Sequence, residues 1–194
     1  MVTDLARTWG ERLLQPLARF FGAVGLTPNT VTVLGLVLTA AVAGVLANGH
    51  LRVAGVLLIF TLGTDALDGA LARLTGQSTR FGAFLDSTLD RWAEVLLYGA
   101  LVWHYLKADQ DSVVLLATAA MATSLLVSYT RARAEGIGVA CKEGLFTRFE
   151  RLVVLIAGLI TQQVFWALGI IALLAGVTAI QRIWVTWRAD RAAH

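Results

Sequence analysis

Apolar runs long enough to cross a bilayer alternate along this chain with short polar or basic segments. A spanning helix needs roughly 20 mostly apolar residues, and six stretches meet or approach that length: residues 31–47, 51–73, 81–106, 113–129, 152–166 and 168–186. The fifth is short and runs into the sixth without a clear break. Ahead of the first, Leu5, Trp9, Leu13, Leu17, Phe20, Phe21 and Val24 recur at helical spacing, with Arg7, Glu11, Arg12 and Arg19 among the remaining positions. Such a pattern suits an amphipathic helix lying on a membrane surface, or equally a first helix packed on the bundle. The segment GLTPNT, with Pro28, then forces a turn before the first span. The expected fold is an all-α integral membrane protein with six transmembrane helices and an N-terminal amphipathic interfacial helix. Residues 1–26 form that juxtamembrane helix, and 27–194 one membrane domain.

Composition agrees. The chain is 57% hydrophobic and 15% charged, whereas about a quarter of the residues in a soluble domain are charged; mean hydropathy is +0.71. Lys and Arg are retained on the cytoplasmic side. With the N-terminus inside, the inner segments hold Arg73, Arg80, Arg131, Arg133, Lys142, Arg148, Arg151 and Arg182, and the outer loops only Arg52 and Lys107. A multi-pass membrane protein is expected, with both termini cytoplasmic. The net charge of +3 is then an orientation signal, and no nucleic-acid partner is implied. Cys141 is the only cysteine, which excludes an intramolecular disulfide and a cysteine-based zinc site.

Against this background four aspartates stand out. An aspartate at the centre of a spanning helix costs about 2.5 to 3.5 kcal/mol, so four cost on the order of 10 kcal/mol. Asp65 and Asp68 are three apart near the cytoplasmic end of the second span, and Asp86 and Asp90 four apart near the start of the third. Both spacings put side chains on one helical face. The short connection makes the two helices expected antiparallel neighbours, so the four carboxylates can converge, and converging carboxylates need a cation to stay ionised. Hard oxygen ligands without His or Cys favour magnesium, manganese or calcium, in one or two ions. Magnesium commonly completes its shell with substrate phosphates, which points to a phosphate or diphosphate substrate. Gly69 lets a ligand approach the helix backbone, Arg73 adds a charge suited to phosphate, and Gly82 keeps the pocket clear one turn before Asp86. Glycines also serve close helix packing, which is the plainer account of most of them.

Read together, Asp65-x-x-Asp68-Gly69-x-x-Ala72-Arg73, eight residues, Gly82-x-x-x-Asp86-x-x-x-Asp90 resembles the signature of the CDP-alcohol phosphatidyltransferases at every fixed position. The resemblance implies an enzyme that transfers the phosphatidyl group of CDP-diacylglycerol to an alcohol and releases CMP. It also implies that Asp65, Asp68 and Asp86 hold Mg²⁺, or Mn²⁺, that Asp90 lies near a second ion and acts as general base, and that the enzyme is a homodimer in the lipid bilayer. Gly69, Arg73 and Thr79 would contact the CDP moiety, and Asn29 and Thr32, in the similar element PNTVT, would line the same nucleotide pocket. Without the resemblance, Asn29 and Thr32 mark a helix start.

The acceptor is read from 128–152, SYTRARAEGIGVACKEGLFTRFERL. Positive-inside bias explains much of its basic content. Arg131 and Arg151, however, sit where the fourth span ends and the fifth begins, and Arg182 near the end of the last. Three arginines at helix ends suit a phosphate carried by the acceptor alcohol. The SYxxARAE and ERL elements are similar to those of bacterial phosphatidylinositol phosphate synthases, which implies inositol phosphate as acceptor. Arg131 stands where those enzymes often have Lys, and Phe149 replaces a proline. Glycerol phosphate is also a phosphorylated alcohol, so a phosphatidylglycerophosphate synthase is the alternative.

Other classes fit less well. A transporter predicts acids scattered near mid-membrane and often an internal repeat, and neither is found in the sequence. An intramembrane prenyltransferase shares paired aspartates for magnesium and diphosphate, but not the Gly69, Ala72, Arg73 and Gly82 framework. An aspartyl protease needs neither four carboxylates nor the arginines, and a purely structural protein leaves the aspartates' cost unexplained.

Overall fold

The structure, a computed structural model, describes residues 16, 21–22, 25–76, 78–141 and 144–193, with the side chains at 65, 66, 68, 192 and 193 outside the description. The apolar runs become helices α1 (Pro28–Ala47), α2 (Leu51–Thr75), α3 (Arg80–Lys107), α4 (Asp111–Gly136), α5 (Arg148–Thr161) and α6 (Val164–Ala193). Among the described residues there is no strand. Four of the helices, α1, α2, α4 and the Val164–Arg191 part of α6, are long and apolar enough to cross a membrane. The other two expected spans differ for separate reasons. The first fifteen residues of the 28-residue α3 carry Arg80, Asp86, Asp90, Arg91 and Glu94, while the 14-residue α5 reaches only about 21 Å at 1.5 Å per residue.

One boundary moves. The fifth apolar stretch was expected to run to residue 166, but α5 stops at Thr161 because Gln162 adopts a left-handed conformation, φ 61° and ψ 22°, and returns its N–H to the Leu159 carbonyl. Val164 to Trp166 therefore belong to α6. The N-terminal amphipathic helix expected over 1–26 falls largely outside the described residues.

The chain divides into two compact units, one made of Met1–Val42 and Leu57–Ala93, the other of Ala43–Val56 and Glu94–His194. In the first, Val31 of α1 packs with Leu67, Ala70 and Leu71 of α2, and Phe21 and Leu26 close over them. The turn into α1 uses Gly25 at φ +81°, a conformation that glycine adopts without strain. Thr27 then caps the helix, its Oγ1 accepting from the Thr30 N–H at 3.2 Å.

In the second unit, α6 packs along α4 and α5. Leu168, Ile171, Ala175, Thr178, Ala179 and Arg182 form its buried stripe at three- and four-residue spacing. Small residues allow close approach: a Cβ added at Gly158 would lie 2.3 Å from the Ala167 Cβ. The loop before α5 docks on α6, the Phe146 N–H bonding Thr178 Oγ1 at 3.2 Å and the Leu145 N–H bonding Gln181 Oε1 at 3.3 Å. Thr147 and Glu150 close a capping box at the start of α5.

Candidate active site

In the first unit, Asp65 and Asp68 lie on α2, with side chains outside the described residues, and Asp86 and Asp90 lie half-buried on α3. The Asp90 side chain is 16% exposed, and Arg91 Nη1 stands 3.7 Å from its Oδ2. Arg91 also donates to the Ser87 carbonyl, which ties the guanidinium to the helix between the two aspartates. Among the described residues no three His, Cys, Asp or Glu side chains gather; the half-buried, all-oxygen pair on α3 has the chemistry a hard divalent ion requires.

The expected nucleotide contacts fall into two local groups. Gly82, Asn29 and Thr79 are brought together: a Cβ at Gly82 would lie 3.0 Å from both Asn29 Oδ1 and Thr79 Oγ1. Thr79 is also the N-cap of α3, its Oγ1 accepting from the Gly82 N–H at 2.9 Å, so one hydroxyl fixes both the helix start and its own position. Gly69 and Arg73 form the second group, the guanidinium lying 3.5 Å from where a Gly69 Cβ would be. Thr32 hydrogen-bonds the Pro28 carbonyl at 3.0 Å.

The arginines, in the second unit, are more constrained than their sequence positions imply. Arg151 is 1% exposed and Glu94 8%. Arg151 Nε and Nη2 both donate to Glu94 Oε1, at 3.0 and 2.7 Å, and Nη1 reaches the Phe146 carbonyl at 3.4 Å. Arg182 is also buried; it donates to the Val127 carbonyl, and its guanidinium fills the space over Gly144, where a Cβ would lie 2.8 Å from Nη2. Arg131 is exposed and bonds Glu135 at 2.9 Å. Arg131 and Arg151 both act electrostatically on Arg182, with Glu135 opposing them.

Glu94 was missed by the sequence reading, although it lies four residues beyond Asp90 and hence continues the same helical face. Glu135 was likewise passed over within the ARAE element. At the α5 N-terminus burial acts to raise the Glu150 pKa, but hydrogen bonds from Thr147 and the backbone outweigh it, and the net direction is downward.

Residues 25–185 match the family model for CDP-alcohol phosphatidyltransferase. The chain belongs to the CDP-alcohol phosphatidyltransferase family. An uncharacterized protein of Aquifex aeolicus is 40% identical over 97% of this chain and 96% of its own length. The phosphatidylinositol phosphate synthase of Mycobacterium marinum is 35% identical over 94% of this chain and 83% of its own. Among solved structures, Mycobacterium tuberculosis phosphatidylinositol phosphate synthase with CDP-DAG bound matches at a TM-score of 0.86 and 32% identity, covering 91% of this chain and 94% of that one. The same enzyme in complex with manganese and citrate matches at 0.85, over 90% and 88%. Membership in this family agrees with the multi-pass membrane character of the helices.

Proposed function

We propose that this protein transfers the phosphatidyl group of CDP-diacylglycerol to a hydroxyl of inositol phosphate, giving phosphatidylinositol phosphate and CMP. The observation that carries the reading is the aspartate signature on α2 and α3 in a chain that matches the CDP-DAG-bound mycobacterial enzyme over nine-tenths of its length. Asp65, Asp68 and Asp86 would hold Mg²⁺ or Mn²⁺, with Asp90 at a second ion. When bound, such ions neutralise the diphosphate and make its phosphorus more electrophilic. Asp90 takes the proton from the acceptor hydroxyl as the oxygen attacks the phosphorus bearing the diacylglycerol. The bond from that phosphorus to the bridging oxygen breaks, and CMP leaves with the electron pair. Asn29, Thr32, Gly69, Arg73 and Thr79 hold the nucleotide side, and Gly82 preserves the space between Asn29 and Thr79. Arg131, Arg151 and Arg182 supply the positive field for the acceptor phosphate.

In this reading α3 and α5 complete six spans in a single membrane domain over 27–194, with termini and active site cytoplasmic, and the enzyme acts as a homodimer. Arginines recognise a phosphate without distinguishing the alcohol that carries it, so phosphatidylglycerophosphate synthesis from glycerol 3-phosphate is the second reading. The test is CMP release from CDP-diacylglycerol in liposomes, with inositol phosphate, glycerol 3-phosphate, free inositol and serine compared. Release is expected with inositol phosphate alone, lost with EDTA and restored by Mg²⁺ or Mn²⁺. Release with glycerol phosphate instead would transfer the assignment to the second reading.

A further inference from the structure

The ion pair between Glu94 and Arg151 is asymmetric. A guanidinium has five N–H donors, and a carboxylate two accepting oxygens. Two Arg151 donors converge on Glu94 Oε1 and a third goes to Phe146. That leaves one N–H on Nη1 and one on Nη2 without a partner among the described residues. Glu94 Oε2 is likewise buried with no hydrogen-bond partner among them. A purely structural pair tends toward full satisfaction, because buried vacant donors and acceptors are costly. Here the Nε and Nη2 edge is clamped on Glu94, while Nη1 and Nη2, the two nitrogens of the outer edge, each keep one N–H, and phosphate oxygens are the acceptors that such a pair of donors meets.

We infer that Glu94 is a positioning residue: it fixes the Arg151 guanidinium so that its outer edge is presented to the phosphate of the acceptor. The inference rests on the proposed role of Arg151 at the acceptor phosphate. Glu94 acts through Arg151. One carboxylate oxygen restrains the rotation of a long side chain, so the ordering entropy of the fork is met before the acceptor arrives. Loss of the clamp therefore weakens acceptor binding and leaves the nucleotide side untouched.

The test uses the full-length protein in liposomes with CDP-diacylglycerol, inositol phosphate and Mg²⁺, for wild type, Glu94→Gln, Arg151→Gln and the double variant. Glu94→Gln is expected to raise the KM for inositol phosphate about tenfold or more, as misplacement of a binding group does, with the KM for CDP-diacylglycerol within about twofold. In the Arg151→Gln background the Glu94 change is expected to add nothing further, since the two act as a unit. Equal changes in both KM values, or additive effects in the double variant, would overturn the inference and leave a structural pair. If Arg151→Gln itself leaves the acceptor KM unchanged, the reading of Arg151 as an acceptor contact fails; if it raises that KM and Glu94→Gln does not, only the role of Glu94 fails. Should Glu94→Gln not yield folded protein, Glu94→Asp keeps the charge and shortens the clamp by one methylene. It is expected to give an intermediate rise in acceptor KM, and an unchanged value would again overturn the inference.

Discussion

Replacing Gly82 with alanine separates its service to the helix from its service to the nucleotide. Gly82 is the third residue of α3, and its N–H is held by Thr79 Oγ1 at 2.9 Å. The new methyl would sit 3.0 Å from Thr79 Oγ1 and from Asn29 Oδ1, so each must give by a few tenths of an ångström. Asn29 can swing about its side-chain torsions, whereas Thr79 retreats only by lengthening its cap bond. Alanine in a helix is favoured over glycine by at most about 1 kcal/mol, and a weakened N-cap costs up to about 1 kcal/mol. The two offset each other. Thermal unfolding in detergent is therefore expected to shift by only a few degrees in either direction.

The nucleotide side has no such compensation. If Asn29 and Thr79 each bond the CDP moiety, a few tenths of an ångström at both spoils the equivalent of one hydrogen bond to a charged group, about 1.5 kcal/mol, or roughly a tenfold rise in KM for CDP-diacylglycerol. The assay is CMP release with CDP-diacylglycerol titrated at saturating inositol phosphate. An unchanged KM at unchanged thermal stability would refute the assignment of Asn29 and Thr79 to the nucleotide. A large fall in melting temperature without a KM effect would show that Gly82 serves only the packing of α3.

Three further outcomes are expected. Asp90→Asn should retain CDP-diacylglycerol binding and lose turnover, measured by binding to liposomes carrying the lipid and by CMP release; retained turnover removes Asp90 as the base. Gly158→Ala forces a methyl to 2.3 Å from the Ala167 Cβ, and overpacking of this kind costs about 1 to 3 kcal/mol, so melting temperature should fall while both KM values stay near wild type. The Glu150 pKa lies below its ordinary value of 4.5 in the folded protein, so its contribution to stability is fully present above that value and is lost as pH falls through the folded pKa; the stability difference between wild type and Glu150→Gln should hold from pH 7 to about pH 4.5 and shrink as pH is lowered further, and a difference that stays constant below that value would argue against the Thr147 cap as the source.

What could be read from the sequence was what chemistry demands locally. Asp65 with Asp68, and Asp86 with Asp90, sit one turn apart on continuous helices, so their spacing carries the geometry with it. Helix existence was legible for the same reason, through apolar runs of sufficient length. The start of α5 was missed although its signal is present: TRFE at 147–150 is a capping box, and it places the helix four residues earlier than the apolar stretch from 152 does. The break after Thr161 was not legible. It depends on a single left-handed residue, Gln162, and a window average passes over one residue.

The arginines mark the limit more sharply, because a count of cations is not a count of available charge. Arg131, Arg151 and Arg182 looked equivalent as basic residues at helix ends, yet Arg131 is balanced by Glu135 on its own helix and Arg151 by Glu94 from another, 57 residues away. Pairing at that separation leaves no periodic trace. Nor does pairing alone disqualify an arginine as a phosphate ligand. In a low-dielectric interior an unpaired guanidinium is the costlier arrangement, and a counter-charge on one edge lets the cation stay ionised while the other edge remains available. The useful quantity is which N–H groups are unclaimed. By that measure Arg151, the most deeply buried of the three, keeps one N–H on Nη1 and one on Nη2 on a guanidinium that Glu94 holds in a fixed orientation.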